Sequence, residues 1–86
     1  MSAVPAAVEP VEPYGRLQDP RTLVESLPPR CREVLDGIVA GRSNKAIAYD
    51  LGISPRTVEV HRANMMRRLG ARHVADAIKL ALKAAA

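Results

Sequence analysis

One glycine and one Ser-Pro pair inside the run NKAIAYDLGISPRTVEVHRANMMRRLG, Asn44 to Gly70, constrain this chain more than anything else in it. Gly52 is free to take a positive φ, which lets the chain reverse direction. Ser54 before Pro55 is a helix start: a hydroxyl that accepts from an unpaired backbone N–H, then a proline whose missing N–H is not needed at the first helical position. The run therefore reads as a short helix from Lys45 to about Leu51, a tight turn, and a longer helix over about 55–69 that Gly70 ends. Ser43 and Asn44 are both competent caps for the first of these. Ile47, Ala48 and Leu51 form its inward stripe, and Ile53 plugs the corner. Val58, His61 or Arg62, Met65 and Leu69 line one face of the longer helix at helical spacing.

The flanking segments follow the same period. Cys31, Val34, Leu35, Ile38 and Val39 predict a helix from Pro28-Pro29 to about Ala40, closed by Gly41. Gly37 lies inside it, at a cost of about 1 kcal/mol relative to alanine, which a close helix approach would explain. Val74, Ala77, Ile78, Ala81 and Leu82 predict an inward stripe on a last helix over about 74–83. Leu80, beside Ala77 and Ala84, leaves a second apolar edge there. Such an edge suits a partner helix, a second copy of the chain included, and equally a scattered exposed leucine. Asp19-Pro20 opens a short helix through RTLVES, with Leu23, Val24 and Leu27 available to pack it onto the rest. No strand pattern and no internal repeat is present, so the fold class is all-α.

Eighty-six residues allow one small domain. Four of the seven prolines precede residue 25, in a stretch with few large apolar side chains that cannot offset its backbone entropy. The organisation expected is a disordered Pro-rich tail or linker over 1–19, a short linker helix over 20–26, and the helical domain over 27–86. MSAVPAAV is too short and too broken by Pro5 to be a signal peptide, and no apolar segment could span a bilayer, so the chain reads as cytoplasmic.

Charge is divided unevenly. Glu9, Glu12, Asp19 and Glu25 against Arg16 and Arg21 leave residues 1–26 at −2. Residues 27–86 hold the other 11 Lys and Arg against five Asp and Glu, a net +6. A basic domain behind a mildly acidic tail suits a polyanion partner. The only aromatics are Tyr14 and Tyr49, which argues against single-stranded or RNA binders that stack bases on aromatic platforms. Duplex DNA is the polyanion that remains.

The residues for that task stand in the central run. A helix N-terminus presents free N–H groups and a positive dipole end, a ready site for phosphate. Ser43, Asn44 and Lys45 supply one such end, and Ser54, Arg56 and Thr57 another. With Arg62 they are the candidate phosphate contacts, although Ser and Asn would cap these helices in any case. Glu59, Val60, Ala63, Asn64 and Arg67 lie on the outer face of the longer helix and are the candidate groove-facing residues. An acid accepts from cytosine, an apolar group meets a thymine methyl, and arginine reads guanine. Glu59 would repel phosphates in a non-specific binder, so it favours sequence readout or an intrahelical pair with Arg56 or Arg62.

Other chemistry is poorly supplied. Cys31 is the single cysteine, which excludes an intramolecular disulfide and a multi-cysteine zinc site; within its apolar stripe it reads as a small buried hydrophobe. His61 and His73 have no carboxylate or thiol at metal-ligand spacing, and His61 reads as packed at the edge of the core. No nucleophile–base pair, paired carboxylates or phosphate-binding glycine loop is present. Neither an enzyme nor a cofactor or metal is expected.

Taken together, Gly41, Asn44-Lys45, Ile47-Ala48, Leu51-Gly52-Ile53-Ser54, Thr57-Val58, His61 and Leu69 resemble the helix-turn-helix of the LuxR/FixJ family of bacterial transcription regulators. SPRTVEVHRANMM is most similar to the FixJ branch. The likeness spans about residues 27–84 and implies a four-helix DNA-binding domain whose 55–69 helix enters the major groove. By position it implies phosphate contacts at Asn44, Lys45 and Thr57, groove-facing Glu59, Val60 and Ala63, and Val58 in the core. It also implies that the 74–83 helix can mediate dimerisation on an inverted repeat, for which the apolar edge of Ala77, Leu80 and Ala84 is the candidate contact. In the FixJ branch a receiver domain precedes this one, and 26 residues are too few to form it; a separate effector domain and a stand-alone regulator fit equally.

Two departures fall on the first helix of the family domain. A capping box of Thr and, three residues on, Glu is usual there. Here the positions are Pro28 and Cys31, so a less well-capped first turn is expected, with the DNA surface unaffected. LPPRCREVL also resembles the opening of the −35-binding region of sigma factors, a second helix-turn-helix class. A third alternative is a protein-interaction module on the same scaffold, binding RNA polymerase or another regulator through the Leu80 edge and the acidic tail.

Overall fold

A computed structural model describes residues 19–86, and every regular element among them is helical: α1 Pro20–Glu25, α2 Pro29–Val39, α3 Asn44–Leu51, α4 Pro55–Leu69 and α5 Val74–Ala85. The expectation of a disordered tail falls on residues 1–18, outside the described residues; Asp19 caps α1.

Each start has a local cause. The Asp19 carboxylate accepts from the Thr22 N–H at 3.1 Å and from the Thr22 hydroxyl at 3.0 Å, ahead of Pro20. Ser43 accepts from the Ala46 N–H at 3.1 Å, so the cap of α3 is Ser43 and Asn44 is its first residue. Ser54 does the same for α4 through Thr57. At α2 the cap position is Pro28 and no side chain caps the turn, in line with the missing capping box. On α5 the His73 backbone N–H donates to the Asp76 carboxylate at 3.2 Å.

The reversal between α3 and α4 rests on Gly52. Its φ is 70°, and the next N–H, that of Ile53, bonds back to the Ala48 carbonyl at 3.0 Å. A residue in the left-handed region thus satisfies carbonyls that the helix end would leave open. The same bond pattern follows α2 and α4. Glycine serves a different end at position 37, where a Cβ would stand 2.7 Å from Ile47 Cγ1. The missing side chain is what lets α3 lie close against α2.

α4 is the centre of the packing. It rests on α2 and α3 and touches α5 and α1. Val58, Met65 and Leu69 from α4 meet Val34 and Leu35 from α2 and Ile47 and Ala48 from α3, all buried. Full burial of one large apolar side chain is worth roughly 1.5–3 kcal/mol, so this cluster fixes how α4 is presented.

The compact unit begins at Pro20, ahead of residue 27: Leu23 and Val24 of α1 and the following Leu27, expected to pack this segment onto the rest, are core residues. The 20–26 segment is thus a packed helix, docked chiefly on α5, where Arg21 donates to the Ala84 and Ala86 carbonyls. The buried face of α5 keeps Val74, Ala77, Ile78 and Ala81 of its expected stripe. Ala77 is 0% exposed and has no surface left for a dimer contact, while Leu80 and Ala84 are half-buried against the core. Leu82, placed on the inward stripe from its spacing, is 57% exposed instead. Val39 at the end of α2 is also exposed.

Candidate nucleic-acid interface

The residues singled out for DNA contact lie at the start of α3 and along α4 with its cap. The N-terminal ends of α3 and α4 are both capped by serine, and both leave backbone N–H groups with no helical partner. Lys45 and Arg56 stand exposed in their first turns. The Ser54 and Thr57 hydroxyls lie 2.9 Å apart, so Thr57 is half-buried and held by the cap.

α4 is two-faced because its core side chains occupy one stripe. Opposite Val58, Met65 and Leu69, the side chains of Arg56, Glu59, Val60, Ala63 and Arg67 are exposed. Val60 is 63% exposed. Glu59 forms no ion pair among the described residues, so it does not orient Arg56 or Arg62.

Two expected contact residues are engaged within the fold. The Arg62 guanidinium donates to Asn44 Oδ1 at 2.9 Å, joining α4 to the first turn of α3. Asn64, expected to face the groove, is half-buried. Its amide nitrogen donates to Cys31 Sγ at 3.5 Å, and its oxygen accepts from Arg67. His61 is half-buried at the edge of the core, and its backbone carbonyl accepts from the Cys31 thiol at 3.6 Å.

Sequence reasoning missed the brace on the other side of α3. Arg42 meets both carboxylate oxygens of Asp50, with Nη2 to Oδ1 at 2.9 Å, a bidentate pair that ties the α2–α3 loop to α3. The eight-residue separation crosses a loop and has no periodic signature. Cys31 was likewise read only as a hydrophobe. Among the described residues, no group of three His, Cys, Asp or Glu side chains could hold a metal ion, and no helix is long and apolar enough to cross a membrane.

This geometry is similar to that of known proteins. Residues 25–81 match the family model described as bacterial regulatory proteins, luxR family. This chain belongs to the LuxR family. Among LuxR-family relatives, it is 41% identical over 85 residues to the transcriptional regulatory protein FixJ of Bradyrhizobium diazoefficiens, covering 94% of this chain and 42% of the relative. FixJ of Rhizobium meliloti is 52% identical over 64 residues, covering 74% of this chain and 31% of the relative. The crystal structure of full-length FixJ from B. japonicum superposes with a TM-score of 0.73 at 40% identity, covering 95% of this chain and 40% of that one. The chain thus spans less than half the length of these relatives. The LuxR-family match takes in α2, α3 and α4 whole, whereas most of α1 lies ahead of it.

Proposed function

We propose that this LuxR-family domain is a sequence-specific duplex-DNA-binding transcription regulator in which α4 enters the major groove. The observation that carries the reading is the division of α4: a wholly buried stripe of Val58, Met65 and Leu69 behind an exposed face of Arg56, Glu59, Val60, Ala63 and Arg67. Only a helix held rigidly from behind can offer four or five side chains to base edges at fixed depth. Lys45, Arg56 and the free N–H groups of α3 and α4 take phosphates on either side and set the register. Relatives named as transcriptional regulatory proteins support the same reading.

On an inverted repeat two copies would meet through α5. With Ala77 in the core, that contact falls to the exposed side of α5, where Leu82 is the large apolar side chain.

Selection of bound fragments from a randomised duplex library at physiological salt tests the proposal. Enrichment of an inverted repeat supports both the readout and the pairing. No enrichment by folded protein, with a retained protein partner, moves the function to the interaction-module reading.

A further inference from the structure

A chain of three side chains runs from the core of the domain to the exposed face of α4. It begins at Cys31, 1% exposed on α2, whose thiol donates to the His61 carbonyl and whose sulfur accepts from the Asn64 amide. It continues through Asn64 Oδ1 to the Arg67 guanidinium. The directions are forced by chemistry. Guanidinium has no acceptor, so Arg67 requires the amide oxygen. The amide nitrogen then faces the sulfur, the acceptor left on that side. The orientation of Asn64 is thus determined at both ends, and Arg67 is its only exposed output.

We propose that Asn64 is a positioning residue that aims Arg67 at duplex DNA, with Cys31 as its anchor. This rests on the DNA-binding reading above and replaces the expectation that Asn64 itself touches the groove. Arg67 lies in the last turn of α4, where the negative helix end favours a cation without directing it. The Asn64 oxygen supplies the direction. A long, rotamer-rich side chain held before binding gives up less freedom when it binds.

The test is a double-mutant cycle on DNA affinity, using the operator recovered by library selection and the full 86-residue chain. Asn64→Ala is expected to weaken binding about two- to tenfold, the gain from pre-ordering one such side chain. In an Arg67→Ala background the same substitution is expected to change nothing further. Cys31→Ala should repeat the pattern, measured at a temperature where melting curves show each variant folded. An equal loss from Asn64→Ala in both backgrounds overturns the proposal, since Asn64 would then act on DNA or on the fold directly. So does an Arg67→Ala variant that binds as the parent does. Folded parent protein that binds no duplex at all overturns the DNA-binding reading and this inference with it.

Discussion

Arg62 Nη1 sits 2.9 Å from Asn44 Oδ1, so the middle of α4 is hydrogen-bonded to the first turn of α3 across 18 residues of chain. Both residues read from sequence as phosphate contacts. Their bond makes them the brace of the helix-turn-helix angle, with four of the five guanidinium donors still available for an anion. A charge-assisted hydrogen bond is worth roughly 1.5–3 kcal/mol, and one only partly buried about 1 kcal/mol. Arg62→Ala and Asn44→Ala should each cost about that much in denaturant melts, and the double variant should cost no more than the larger single loss. Fully additive losses would show that the two side chains act separately.

Lys45 and Glu59 should separate affinity from specificity. Under the proposed function Lys45 would meet phosphate, so Lys45→Ala should weaken all duplexes alike and lower the salt dependence by about 0.9 in log–log slope. Glu59→Ala would, on the same reading, remove an acceptor from the groove face. It should change the sequences recovered from a random library more than it changes the salt slope. An unchanged selected sequence would remove Glu59 from the readout.

α1 behaves as part of the domain in this structure, and its energetic share can be measured. Leu23 is 2% exposed beneath α1. Truncating a buried leucine to alanine typically costs about 2–5 kcal/mol. Leu23→Ala should fall in that range by urea unfolding. A loss of less than about 0.5 kcal/mol, the size of a surface substitution, would make α1 a linker that merely rests on α5.

The cap of α1 makes its docking sensitive to acid. Bonds from the Thr22 backbone N–H, and then from its hydroxyl, hold the Asp19 carboxyl below its ordinary value of 3.8. A depressed acid stabilises the fold above its unfolded value, and that contribution is lost as pH falls through the folded value. Stability should therefore be indifferent to Asp19 ionisation near neutrality and decline below pH 3.8. In Asp19→Ala the decline should be shallower, read as stability against pH. Parallel curves for parent and variant would contradict this.

What the sequence alone determined is what short range decides. Asp19-Pro20, Ser43, and Ser54-Pro55 start helices because a side-chain oxygen and a ring constraint act within three residues. Gly52 reverses the chain because only its own φ is at stake, and the α2, α3 and α4 stripes follow from helical period. The outer face of α4 was legible for the same reason, Asn64 excepted. Tertiary structure alone decided the rest. Cys31 and Asn64 are 33 residues apart, and Arg62 and Asn44 are 18 apart, so no local rule could join them. α1, a six-residue helix that cannot hold its shape in isolation, packs on α5, a contact with no local signature. Ala77 lies inside as its spacing predicts, whereas Leu82, from the same expected stripe, is exposed. Periodicity names the buried side of a helix; its neighbours, by the apolar surface they present, decide where that side ends.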